Sequence, residues 1–408
     1  MAKTPAAFRA RPIAATLLFT TLFAGFASFG WWYNKIYQAT APFAKDFMEH
    51  NNAGTLVDGS PLKRVYTGHG GTDDLLAMLV LFFAPGTYGT PDGKRAVAGR
   101  VVAEVVSGDA VRLQQAQLLL QLVSVLVLQM VEGFRGRNRW TLLSFPSMWA
   151  FLYQTMSGQC IFPVWYAIHT LLSHGAPYLS SSSSTGLAVS PALARAFLPA
   201  FLVLYVVPTI AMYVPYADPL RNQDATAFWQ ATPAYVNIAL WVLALTVFRD
   251  RGGAGPATTT RTGPASSSSS YAKYIIRAYV LAFVVGVVTQ LWLVWAIMTS
   301  TNPSVSFRSV LIPSALDLSD VDFVLGTHRM FQWDHLGIFA STLLWAVMGV
   351  YDLQTRQPGA SGDVLVPVTT LLLGALVLGP GAALAAFGVW REKRIARIVR
   401  EGAARKAQ

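Results

Sequence analysis

The chain has 408 residues, of which 53% are hydrophobic and only 12% charged, and its mean hydropathy is +0.43. A soluble domain carries about 25% charged residues, so the composition excludes an ordinary soluble protein and places most of the mass in a bilayer. The net charge of +11 is gathered in "MAKTPAAFRARP", "FRGRNRW" and "WREKRIARIVREGAARK" beside apolar runs, which is the positive-inside signal of orientation rather than a nucleic-acid surface.

In chain order, apolar segments fall near residues 13–33, 75–88, 111–131, 148–172, 192–214, 228–248, 275–299, 335–351 and 364–388. The first ends in "WWY" and reads as an uncleaved span with an aromatic belt. Segment 75–88 is short of the ~17–25 residues a span needs. The expectation is therefore an all-α, polytopic transmembrane helical bundle of about eight spans, or nine if 75–88 crosses. Eight crossings put both basic termini in the cytoplasm but leave the arginine-bearing stretch after Phe248 on the lumenal side. That stretch and "SHGAPYLSSSSSTG" read as flexible connectors. Residues 1–390 form a single transmembrane domain. Residues 391–408 form a basic amphipathic cytoplasmic tail, whose Ile395, Ile398 and Val399 face the anionic leaflet.

Acids at span ends are the informative residues. Glu132 closes one run, Asp334 opens another in "MFQWDHLG", Asp218 follows "MYVPYA", and Asp73 precedes "LLAMLVLFF". Four apolar segments separate Glu132 from Asp334, an even number, which predicts that the two share a membrane face with Asp218. Arg135 lies one helical turn beyond Glu132 and is its natural partner. Asp334 sits among Phe331, Trp333 and His335. An apolar aromatic setting favours the neutral form of a carboxylic acid. A neutral acid beside π-faces suits a cation-generating site, with a proton donor first and ring faces for the positive charge afterwards.

Missing motifs narrow the chemistry. The only cysteine is Cys160, so neither an internal disulfide nor a thiolate metal site can form within one chain. "TDDLLAM" has Ala77 where an Asp-rich diphosphate motif needs its third acid, and "DLSDVDF" is not DxDD. No lysine lies inside a span, and no nucleotide loop, zinc-protease or serine-hydrolase motif occurs. Ionisation of a prenyl diphosphate on a metal is thus not the expected reaction, and neither cofactor nor metal is called for.

The stretches "DDLLAMLVLFFAP", "VEGFRGRNR", "FPSMWAFLYQTMSGQCIFPVWYAIH", "YADPLRNQDATAFWQATPAYV" and "HRMFQWDHLGIFASTLLWAV" follow one another over residues 62–352. Their order resembles the fungal integral-membrane terpene cyclases of meroterpenoid pathways, such as the ascochlorin, ascofuranone and macrophorin cyclases, and related membrane proteins of indole-diterpene clusters. The resemblance implies a multi-pass enzyme of the endoplasmic reticulum that protonates an epoxide or olefin of a prenylated substrate. Rings then close through a carbocation without metal. It implies Asp334, Glu132 and Asp73 as catalytic acids. Substrate-binding candidates are Trp333, Phe331, His335, Gln154, Tyr153, Trp229 and Arg135. The implied partners are the lipid bilayer, the prenylated substrate and pathway enzymes such as an epoxidase or prenyltransferase, with no nucleic acid. The two Ser-rich inserts, and His335 where an aromatic is expected, depart from the pattern. The residues alone also admit a transporter or receptor, in which the same acids would couple protons.

Overall fold

A computed structural model describes residues 8–37, 42–88, 96–97, 100–101, 108–179, 186–216, 218–249, 264–313, 321–357 and 361–407. Most of the arginine-bearing stretch after Phe248 and the serine run of the other insert lie outside the described residues. Among the described residues the architecture is all-α, apart from an antiparallel pairing of Ala96–Val97 with Arg100–Val101 and an isolated Thr55–Pro61 bridge.

The elements follow as α1 (Ile13–Trp31), α2 (Pro42–Ala53), α3 (Gly70–Thr87), α4 (Gly108–Gly133), α5 (Pro146–Met156), α6 (Gly158–Leu172), α7 (Pro191–Phe201) and α8 (Val207–Ala211). Then come α9 (Pro219–Gln230), α10 (Thr232–Leu245), α11 (Pro264–Thr299), α12 (Phe307–Leu311), α13 (Phe323–Thr355), α14 (Leu365–Leu378) and α15 (Pro380–Ala407). Among the described residues, five stretches are long and apolar enough to cross a membrane: Ile13–Ile36, Asp109–Gly133, Pro191–Ala211, Tyr271–Thr299 and Phe323–Thr355. The pair α9–α10, bent by 58°, is long and apolar enough only when its two halves are taken together. Helix α4 is the enclosed centre of the bundle. Helices α1, α11 and α14 carry the outward apolar surface. On α11, Val284, Val288, Leu291 and Trp295 form an exposed stripe at helical spacing, too long and too greasy for water. The chain is a membrane protein.

Two of the expected spans are broken and double back. Segment 146–172 starts beside the end of α4, where Gly133 abuts the Leu143 carbonyl. It breaks at Ser157 and returns along α13 through Tyr166–Thr342 and Trp345–His169 hydrogen bonds. It ends where the Arg11 guanidinium meets Ser173. Likewise α14 runs inward to Gly379, whose φ of +92° only glycine adopts easily. Gln121, halfway along α4, accepts from the Gly381 N–H at 2.8 Å and donates to the Gly286 carbonyl at 3.1 Å, which pins the turn. From there α15 heads back out to Glu132.

This geometry sorts the molecule into two ends. At one end lie Arg11, Arg135, Arg356 and Arg391, together with the α4, α6, α13 and α15 residues they touch. At the other lie α2, the start of α13 and the α9 N-terminus, where Asp218 caps the Leu220 N–H. The described residues on each side of the Arg-bearing stretch, Phe248 and Tyr274, both reach Arg195, so its flanks emerge on the basic side. Two further sequence expectations change. Helix α15 continues unbroken across 390, and Ile395, Ile398 and Val399 are buried against Leu187 and Leu353 rather than turned to a leaflet. Asp334 does not open a helix: α13 begins eleven residues earlier at Phe323, about 17 Å along the axis.

Candidate active site

A cavity of about 310 Å³ lies between α3, α4, the α5–α6 break, α9 and α13. Its wall is aromatic and continuous. Trp229 packs on Phe83 at 5.4 Å, Phe83 on Phe331 at 5.2 Å, and Phe331 on Phe82 at 5.3 Å. Tyr153 stacks on Phe162 at 5.1 Å across the break. The Trp229 indole N–H donates to Thr209 at 2.8 Å, which fixes the ring plane. Leu118, Leu122 and Leu126 of α4 supply the aliphatic side. One end is polar, formed by Asn34, Lys35, Gln154, Thr155, Ser157 and Asp334.

Asp334 is buried, and its described partners are neutral. Its Oδ1 accepts from the Ser157 hydroxyl and, at 3.1 Å, from the Gln159 N–H in the first turn of α6. Ser157 Oγ in turn accepts from the Asn34 amide at 3.0 Å. No ion pair to Asp334 occurs among the described residues. The break exists because Ser157 takes φ +79°, which ends one helix and starts the next. The freed N–H groups of α6 then need an acceptor, and Asp334 is one. Gly158 lets the tip approach Ile338, and Gly30 and Gly337 leave room for Gln159 between α1 and α13.

Of the sequence candidates, Asp334, Phe331, Tyr153, Gln154 and Trp229 line this one cavity. Trp333 and His335 do not. Trp333 packs on Phe29 at 5.0 Å and Tyr33 at 5.5 Å, and His335 lies 4.8 Å from Phe339. Successive helix residues point about 100° apart, so neighbours of a cavity-facing residue face other helices.

Glu132 and Arg135 are elsewhere. Glu132 is fully enclosed, with Oε2 accepting from Arg135 Nε at 2.8 Å and Arg391 Nη1 at 2.5 Å. Its Oε1 faces the Tyr178 hydroxyl at 3.2 Å and His169 Nε2 at 3.5 Å. The Trp345 N–H donates to His169 Nδ1, so the ring carries its proton on Nε2, toward Glu132. Arg135 continues to Glu392 and the Leu187 carbonyl. The cavity that adjoins this cluster has a volume of only about 20 Å³. On α13, Asp334 and the Trp345 that touches His169 are eleven residues apart, roughly 17 Å. The predicted shared face fails because 146–172 doubles back. Glu132 lies at the arginine-bearing end, Asp334 roughly 17 Å deeper along α13, and Asp218 at the end opposite Glu132. Asp73 lines neither cavity. Its carboxylate accepts the N–H groups of Thr67, Gly68 and Tyr66 and the Thr67 hydroxyl at 2.7–3.1 Å. These bonds, the Thr67 N–H foremost, hold its carboxyl below the ordinary value.

Sequence reasoning missed Ser157, Gln159, Asn34 and Lys35. The Ser–Gly pair in the middle of an apolar run was the available signal, because such pairs mark sharp helix breaks.

Residues 14–396 match the CtvD domain. The chain belongs to the CtvD domain family. It is 24% identical over 388 residues to the terpene cyclase ascI of Acremonium egyptiacum, covering 92% of this chain and 91% of that one. It is 29% identical over 359 residues to the terpene cyclase ctvD of Aspergillus terreus, covering 86% and 90%. A third relative, the FAD-dependent monooxygenase verC1 of Penicillium polonicum, is 26% identical over 272 residues, which are 65% of this chain and 30% of that protein. No solved structure matches the chain. The matched region includes every residue that lines the cavity.

Proposed function

We propose that the protein is a membrane-bound terpene cyclase that starts ring closure by proton transfer from Asp334. The observation that carries this reading is a buried acid, held by neutral donors, at the polar end of an aromatic cavity. The substrate's prenyl chain lies along Trp229, Phe83 and Phe331, and its polar head points to Asn34, Lys35 and Thr155. Asp334 gives its proton to an epoxide oxygen or olefin carbon. The C–O bond opens, or a cation forms, and the next π-bond attacks it. The ring faces stabilise the travelling charge. A proton is released when the last cation is quenched, so the reaction is an isomerisation. The names of ascI and ctvD support the reaction class. The match to part of a monooxygenase supports an epoxide supplied by a flavin enzyme. The sequence lacks an Asp-rich diphosphate motif, which supports initiation without metal.

The test uses detergent-solubilised protein with no ion gradient and excess chelator. The substrates are a prenylated arene and its terminal epoxide. The expected product has unchanged mass and a new retention time. Conversion that stops with EDTA and returns with Mg²⁺ would overturn the mechanism. No conversion, with uptake of the compound into proteoliposomes, would favour a transporter.

The same reading assigns six crossings and two re-entrant pairs in the endoplasmic reticulum membrane, with every basic cluster cytoplasmic. In a Cys160→Ser background, Trp140→Cys and Ser304→Cys should label from opposite sides of sealed vesicles. Labelling from one side contradicts this topology.

A further inference from the structure

Ser157 is the residue the proposed chemistry leaves unexplained. Its backbone, at φ +79° and ψ 140°, lies in a region that glycine enters freely and residues with a Cβ rarely do. Glycine is the next residue in the chain, yet the strained position holds a serine. Strain of this kind persists where the surroundings impose it, often beside a reacting centre.

The hydroxyl gives the reason. Ser157 Oγ accepts from Asn34 Nδ2 at 3.0 Å and contacts Asp334 Oδ1. A hydroxyl has one proton to donate. With Asn34 donating to the oxygen, that proton is directed at the carboxyl. The Gln159 N–H joins it on the same oxygen, at the positive end of the α6 dipole. The break is itself seated between fixed elements: its Gln159 side chain fills the space left by Gly30 and Gly337.

We propose that Ser157 is a positioning residue, which aims Asp334 into the cavity and holds the negative charge left on it when its proton has gone to the substrate. The inference rests on Asp334 being the proton donor. A cation in place of the hydroxyl would keep the acid ionised and disarm it. Neutral donors stabilise the developing carboxylate while leaving the resting acid able to keep its proton.

The proposal separates stability from turnover. Ser157→Gly removes the strain along with the hydroxyl, so thermal stability in detergent should be equal to or above that of the parent. Turnover should fall about 10–100-fold, the worth of a hydrogen bond to a charged group, with KM within about twofold, because the contact matters as charge develops. Ser157→Ala keeps the Cβ and loses the same hydroxyl, and it should show the same fall in kcat. Adding Ser157→Gly to Asp334→Asn should cost nothing further. Full activity in Ser157→Gly overturns the proposal and leaves the cyclase reading standing if Asp334→Asn is inactive. Near-normal activity in Asp334→Asn overturns both. Failure of both Ser157 variants to fold also contradicts the proposal, since the hydroxyl would then serve the fold.

Discussion

Glu132 and Asp334 are both buried carboxyl groups on long central helices, and their surroundings are opposite. Glu132 touches two guanidinium groups and has almost no free space beside it. Asp334 touches a hydroxyl and a backbone N–H and faces a large cavity. An acid neutralised by two arginines is committed to holding helices together, because releasing it would strand buried cations. An acid held only by neutral groups can change its proton without leaving a charge unpaired beside it. Burial alone therefore does not mark a catalytic acid. The charge of its partners and the room next to it do.

Replacing each carboxyl by its amide should have opposite effects at the two sites. Asp334→Asn keeps the volume and cannot deliver a proton, so turnover should drop 10²–10⁴-fold at parental expression and thermal stability. Full activity in that well-folded variant would leave the cavity without a donor. Glu132→Gln should do the reverse. It leaves Arg391 and Arg135 short of a partner in a dry site, and breaking such a pair costs about 3–5 kcal/mol. Its thermal midpoint and membrane yield should fall, while turnover per folded molecule stays within a few-fold of the parent. A stable but inactive Glu132→Gln would return it to the catalytic machinery.

The smallest effect is expected at Asp73, whose folded-state pKa is depressed by the 66–68 loop. A depressed value means the carboxylate stabilises the fold above the unfolded pKa, near 4, and loses that contribution as pH falls through the folded value. The difference in unfolding midpoint between the parent and Asp73→Asn should therefore hold at neutral pH and shrink below about pH 4. A difference that grows with acid would show that the loop bonds do not favour the ionised form. Turnover of Asp73→Asn should remain near parental, since the residue does not reach the cavity.

Composition and hydrophobic runs made the all-α membrane class legible, and the motif order carried the family. Four of the aromatic and amide candidates, Phe331, Tyr153, Gln154 and Trp229, were placed in the cavity with Asp334. The misreadings share one cause. Hydropathy measures how greasy a segment is but not which way it travels, so 148–172 and 364–388 read as crossings although each turns back at Ser157 or Gly379. The return of 146–172 leaves Glu132 at the arginine-bearing end and Asp334 deep inside α13. The same misreading hid Ser157, whose importance lies in a backbone angle. Trp333 and His335 adjoin Asp334 in sequence, but successive helix residues point about 100° apart, and the two rings pack on Phe29 and Tyr33 and on Phe339.

The wiring of Glu132 also has a history written into it. Its partner Arg391 is synthesised 259 residues later. At 5–20 residues per second this is on the order of ten to fifty seconds of translation, during which the carboxylate has entered its helix but not met that arginine. Arg135, three residues downstream, leaves the ribosome almost together with Glu132 and can pair with it at once. The contacts of Glu392 with Arg135 and of Arg391 with Glu132 can form only once α15 has been made. Within the four-charge lattice, Arg135 is thus the counter-ion made almost together with Glu132, and it keeps that contact in the finished fold.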